Sequence, residues 1–198
     1  MRAVSICTIA ILGLLDAGCV DNRPVHYYTI EPAAPPATSR APAGPALVVG
    51  NISDLPEPQD NRIRYRFGSN EVGEYQFHRW IESPGSMISE SLALALRASG
   101  KYRSVMESSS TAAGDYQLRG KLYEFDEVDR DSVQTCISLR VNLVDMKTRR
   151  VVWGDLVRHE EAVRGENVRD VVASLDRNLQ AVVKETAEGI GHFLEAQR

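Results

Sequence analysis

Two hydrophobic periods alternate along the chain after residue 45. "ALVVGNI" is a continuous apolar run bounded by Pro45 and Ser53, the pattern of a strand buried on both faces of a sheet. "RIRYRF", Arg62 to Phe67, alternates strictly and places Ile63, Tyr65 and Phe67 on one face and three arginines on the other. "GSNE" supplies a turn and "VGEYQFHRW" returns, so Arg62 to Trp80 reads as a hairpin. The period then changes. Ser83 caps a helix, Pro84 suits its first turn, Ile88, Leu92, Ala95 and Leu96 form its apolar stripe, and Gly100 ends it.

The second half continues with longer elements. "YRSVM" is a short strand, "SSSTAAG" a loop, and "DYQLRGKLYEFDEV" a strand with Tyr116, Leu118, Leu122 and Phe125 inward and a bulge or bend after Gly120. "DSVQTCISLRVNLVD" and "RRVVWGDLVRHEEAV" read as antiparallel strands. Ile137, Leu139, Val141 and Leu143 are the core face of the first; the core face of the second is Val152, Gly154 and Leu156 or the opposite set. Trp80 and Trp153 are read as core or sheet-packing residues. From Val168 to Leu194 apolar residues recur at spacings of three and four, a long amphipathic helix whose end is expected to fray at Gly189 and Gly191. Together these elements predict an α/β fold: a three-layer-like sandwich in which a mixed, mostly antiparallel sheet is packed by two main helices.

The N-terminal part has a different character. Arg2 precedes an apolar run, Ala3 to Leu15, of a length suited to a secretory signal peptide and too short to span a bilayer. Ala17 and Gly18 are small residues before Cys19, and "LLDAGC" resembles a bacterial lipobox, whose cysteine becomes the first mature residue and takes a diacylglycerol on its sulfur. Asp16 stands where that motif carries an aliphatic residue, with Leu14 and Leu15 displaced by one; ordinary signal cleavage that leaves Cys19 free is the alternative. Removal of residues 1–18 would leave only Cys19 and Cys136, too few for a disulfide framework, and Cys136 in an apolar strand reads as a buried thiol. The expected organisation is a signal peptide over 1–18, a lipid-anchored segment over 19–45, and an α/β domain over 46–198. Within 19–45, "VHYYTI" is an edge strand and "EPAAPPATSRAPAGP" is either a surface loop or a free spacer.

Charge and side-chain chemistry narrow the function by exclusion. A net charge of −4 argues against a dedicated nucleic-acid surface. "RHEEAV" lacks the second histidine that a zinc-protease helix needs after His159, and His26, His78 and His192 are scattered in sequence. P-loop, nucleophile-elbow and dinucleotide motifs do not occur. The carboxylates of "YEFDEVDRD" read as a solvated strand end. The arginine face of Arg62 to Phe67 is either a phosphate- or membrane-attracting surface or a solvated strand face balanced by Glu71, Glu74 and Glu82. No catalytic, cofactor or metal residue is assigned, and the chain is expected not to be an enzyme.

The order "YYTI", a Pro-rich gap, "LVVGNISDLPEPQDNRIRYRFGSNEVGEYQFHRWIE", a capped helix, "DYQLRGKLYEFD", a strand pair containing "VVW" and a closing helix resembles the ABC-type transport auxiliary lipoproteins. That resemblance implies a periplasm-facing lipoprotein of the Gram-negative outer membrane, with diacylglycerol and N-acyl chains on Cys19 seated in the inner leaflet of that membrane. Val20 after the cysteine, with Asp21 one place later, leans to the outer membrane under enterobacterial sorting. It further implies as partners an MCE-domain protein and the permease and ATPase of an ABC system moving phospholipids or other hydrophobic molecules. Self-association is left open. The competing reading is a lipid-anchored structural or regulatory envelope factor that binds proteins only.

Overall fold

The computed structural model describes residues 23–31, 44–54, 59–68, 70–108 and 113–197. The signal-peptide region, Cys19 and most of the Pro/Ala tract lie outside the described residues. Within these residues eight strands and two long helices follow in the order β1 (His26–Tyr28), β2 (Ala46–Asp54), β3 (Arg62–Phe67), β4 (Glu71–Trp80), α1 (Pro84–Ala98), β5 (Ser104–Glu107), β6 (Tyr116–Asp129), β7 (Val133–Asp145), β8 (Val151–Ala162) and α2 (Val168–Ala196). A short 3-10 turn, Gln59–Asn61, leads into β3.

β6 is the spine of the single sheet. Along one edge it pairs antiparallel with β7 over nearly its whole length, and β7 pairs antiparallel with β8. Its other edge is shared: the first half pairs parallel with β2, which carries β5, and the last four residues pair parallel with β3, which carries β4 and then β1. β6 can serve neighbours at both ends because it bends, and the bend is the register shift between Leu122 and Glu124. This is the bulge expected after Gly120. It lets Leu118, Leu122 and Phe125 all face the core although the last two are three residues apart.

Both helices cover the same face of this sheet. α1 packs on β2 and β5, α2 packs on β7 and β8, and the two touch each other, giving one helical layer over one sheet layer. The α/β sandwich read from the sequence is thus present, in two layers where a three-layer-like arrangement was expected, since among the described residues the opposite face of the sheet carries no helix. α1 starts where expected: the Ser83 hydroxyl accepts from the Ser86 amide at 3.2 Å and Pro84 occupies the first turn, where its missing N–H costs nothing. Gly100 leaves the helix at φ +63°, a conformation that other residues adopt only with strain. The stripe Ile88, Leu92 and Leu96 is fully buried, each side chain contributing on the order of 1.5–3 kcal/mol.

α2 is tied down by polar as well as apolar groups. Asn167 and Asp170 form a reciprocal capping box at its start. Inside the core, the Asn178 amide donates to the Thr135 carbonyl at 3.1 Å and to the His159 carbonyl at 3.2 Å, while Ser174 Oγ lies 3.0 Å from Thr135 Oγ1. These contacts fix the axial register of the helix over β7 and β8. The fraying expected at Gly189 and Gly191 is absent. α2 runs on to Ala196 because the Trp153 indole lies where a Gly189 side chain would begin, 2.9 Å from the position a Cβ would take, and Lys101 pairs with Glu195 at 2.9 Å. Close approach of an aromatic ring offsets the roughly 1 kcal/mol cost of glycine in a helix.

The core face of β8, left open between two sets, is settled by its partner. Leu143 pairs with Trp153 and Leu139 with Val157, so Trp153 and Val157 face inward and Leu156 faces out.

Candidate functional site

Candidate chemistry gathers in four places, and the first is the helix-free face near β3. Arg64 and Arg66 point there, as the alternation of "RIRYRF" requires, and β3 runs beside the last residues of β6. Asp126, completely buried, receives Arg64 at 3.3 Å and Arg66 at 3.0 Å; Glu124 next to it takes Arg158 from β8 at 3.2 Å and Arg66 at 3.8 Å. Asp60, in the turn before β3, lies near Arg62 and Arg79. This corrects one expectation. Carboxylates of "YEFDEVDRD" are counter-ions inside a sheet, where Asp126 and Glu124, with Asp60 before β3, take part in balancing the β3 arginines. Parallel pairing of β3 with β6 is the physical reason, since it brings residues about 60 positions apart onto neighbouring strands. A buried carboxylate of this kind needs its cations, because desolvation would otherwise cost several kcal/mol.

Cys136 sits at the edge of this network. It is buried as expected, and its Sγ donates to Glu124 Oε2 at 3.4 Å. Burial, with the Glu124 carboxylate adding, pushes its thiol up to about 12, so it stays protonated and unreactive near neutral pH.

An aromatic and histidine cluster occupies the opposite, core-facing side of the β1, β3 and β4 wing. Parallel pairing puts His26 beside His78, and the rings stack at 5.2 Å. Tyr28 Oη lies 2.8 Å from His78 Nδ1, and Tyr75 packs edge-on against both Tyr65 and His78. The Tyr75 hydroxyl donates to Glu127 at 2.6 Å. Burial raises the pKa of Glu127, with Asp129 adding to it and the Tyr75 bond opposing it; the same burial raises that of Tyr75. His78 is shifted down by burial and then by His26. Two of the histidines scattered in sequence, His26 and His78, 52 positions apart, are therefore neighbours in the fold. His159 sits on a strand, not on a zinc-protease helix, and its Nε2 pairs with Glu185 on α2.

The fourth place is a groove of about 300 Å³ between α1 and α2. Small or aliphatic side chains, Ala95, Ala98, Leu179, Val183 and Ala187, form its walls, and Ile30 closes it just after β1. Such a groove accepts an apolar group; Lys184 and Glu188 at the rim are polar.

Among the described residues, no group of three or more His, Cys, Asp and Glu side chains is arranged to hold a metal ion, and no helix is long and apolar enough to cross a membrane. The Arg–Asp network and the Tyr–Glu bond are accounted for by packing and charge balance. What remains for function is surface: an open sheet face and a groove between helices.

Comparison with known proteins agrees with that picture. Solved structures share the fold at low identity. Protein XCC0632 of Xanthomonas campestris is 19% identical with a TM-score of 0.75, covering 88% of this chain and 100% of its own. The hypothetical protein CT253 of Chlamydia trachomatis is 10% identical with a TM-score of 0.58, covering 78% and 99%. A PelC dodecamer of Paraburkholderia phytofirmans is 16% identical with a TM-score of 0.52, covering 84% and 98%. No functionally curated protein matches the chain. The family model described as the ABC-type transport auxiliary lipoprotein component matches residues 28–187, a span that takes in the sheet from within β1 through β8 and most of α2. The chain therefore belongs to the ABC-type transport auxiliary lipoproteins, non-enzymatic components that are lipid-anchored in the outer membrane, face the periplasm and work beside an ABC transporter.

Proposed function

We propose that this chain is the anchored auxiliary subunit of an ABC system that moves phospholipids or other hydrophobic molecules across the Gram-negative envelope, with an MCE-domain protein as its periplasmic partner. The family match over residues 28–187 carries the reading. In it, residues 1–18 are removed as a signal peptide, Cys19 takes diacylglycerol and N-acyl chains, residues 19–45 form the anchoring segment, and 46–198 form the docking domain. Each buried methylene of an acyl chain contributes ~0.8 kcal/mol, so one chain holds marginally and the chains of a triacylated cysteine hold firmly. The permease and ATPase of the same system supply the energy, since this chain carries no nucleotide-binding motif.

Intact mass spectrometry on the full-length chain from a Gram-negative host, beside Cys19→Ser, tests the anchor. A mature chain starting at Cys19 with added acyl mass is the expected result, and Cys19→Ser is expected to fold and leave the membrane. An unmodified chain cut elsewhere would sink the anchor assignment. Detergent-solubilised pull-down with an MCE-domain subunit tests the partner; failure of the two to co-elute would remove it.

A further inference from the structure

The helix-free face of the sheet divides its cations into two groups. Arg64, Arg66 and Arg158, near β3, are all matched by carboxylates. Arg119 and Lys121 on β6 and Arg140 on β7 are exposed on the same face, and among the described residues none of the three has a carboxylate partner. Lys121 lies directly opposite Arg140 in the β6/β7 ladder, and like charges so placed repel. Packing gives no reason to put them there. Arg119 instead meets Gln117 at 2.9 Å, and the Lys121 ammonium lies 5.6 Å above the Tyr123 ring.

Exposed apolar groups flank this strip. Leu156, opposite Arg140, is 47% exposed, and Tyr123 and Val152 are exposed beside it. Aromatic, aliphatic and arginine side chains side by side are what the core of a protein interface uses. The strip also adjoins an open edge. Among the described residues β8 pairs only with β7, and while Arg158, Glu160 and Glu161 guard its second half, its first half, Val151–Val157, carries a single charge, Asp155, whose carboxylate accepts from the Leu156 amide. Edge strands are ordinarily guarded by several charges or a proline. An edge of backbone N–H and C=O groups can be matched in register by another polypeptide and not by a lipid headgroup.

We infer that the helix-free face, from the β8 edge across Leu156 and Val152 to Arg140, Lys121 and Arg119, is a docking surface for an acidic polypeptide that lies along β8 with its carboxylates over the basic strip. The inference rests on the auxiliary role proposed above and names the surface that role would use.

The test uses the full-length chain in its Gram-negative host with a photo-crosslinking amino acid at Leu156 or Tyr123, and a control at Gln180 on the rim of the α1–α2 groove. Mass spectrometry identifies the partner and the crosslinked peptide. Expected is a transport component of the envelope crosslinked from Leu156 or Tyr123 through an acidic segment. The yield should fall about tenfold in Arg119→Glu/Lys121→Glu/Arg140→Glu and return when the acidic residues of that segment are changed to lysine. A thermal melt of the triple variant within a few degrees of the parent excludes unfolding as the cause. Crosslinks to a transport component only from Gln180 would overturn the assigned surface and leave the auxiliary role standing. Crosslinks to no transport component from any position would overturn both. No crosslink from Leu156 or Tyr123, crosslinks only to a second copy of the chain, or yields untouched by charge reversal would overturn the inference. So would a membrane role, read as flotation of the purified Cys19→Ser chain with phosphatidylglycerol-containing vesicles that is lost in the triple variant.

Discussion

The two ends of the helix-free face carry similar numbers of cations and treat them in opposite ways. At the β3 end, Asp126 and Glu124 hold Arg64, Arg66 and Arg158 in a partly buried network that ties three strands together. At the β8 end, Arg119, Lys121 and Arg140 point to solvent beside exposed apolar groups. One end is built for stability and the other gives up a little of it. The same residue types on the same surface therefore mean different things, and the carboxylates within reach decide which.

Substitutions can break that contrast. Asp126→Asn leaves two guanidinium groups around a neutral buried amide and is expected to cost roughly 3–5 kcal/mol, the range for breaking a buried ion pair, read as a drop in the denaturant midpoint. A loss under about 1 kcal/mol would mean that water screens this site as it does an exposed pair. Glu124→Gln should cost less, roughly 1–2 kcal/mol, because the site is partly open to solvent and Asp126 still holds Arg66.

The β1/β4 wing offers a pH test with a defined sign. His78 is shifted down, so its contribution is whole above the free-histidine range near 6.5 and is lost as pH falls through the lowered value. Glu127 is shifted up, so its contribution is whole below the free value near 4.5 and is lost as pH rises through the raised one. Between these limits acidification weakens the fold through His78 and strengthens it through Glu127. His78→Gln should leave only the strengthening, and Glu127→Gln only the weakening; equal slopes of denaturant midpoint against pH in the two variants would refute the assignment. The smallest effect belongs to the basic strip. Lys121→Gln is expected to raise stability by about 0.2–1 kcal/mol by relieving its repulsion with Arg140, and a measurable loss would show that the strip is structural.

Local elements were legible in the sequence because each is written in a short window. The alternation of Arg62 to Phe67, the Ser83–Pro84 start of α1 and the apolar stripe of α2 appear in the structure as read. What could not be read is which strands become neighbours. Alternation assigns Arg64 and Arg66 to one face, yet only the parallel docking of β3 on β6 brings Asp126 to them. The same limit applies to His26 and His78, and to β8, whose core face is fixed by its register with β7. Cys19 is the exception among candidate residues. Its reading comes from a cleavage pattern, and no fold information bears on it.

The small size of β1 has a mechanical consequence. Three residues pair it to β4, with the Ile81 amide on the Tyr28 carbonyl and Tyr28 on His78 as additional ties. With Cys19 held in a membrane, tension on the domain would load β1 first, and this strand would peel before the central sheet yielded. Seven residues, 19–25, limit the leash while β1 is paired, a reach of about 25 Å; with β1 released the leash extends to residue 45 and about 95 Å. With Cys19 anchored as proposed, the edge strand would act as a slack-releasing catch, setting whether the domain rides close to its membrane or stands far out into the periplasm.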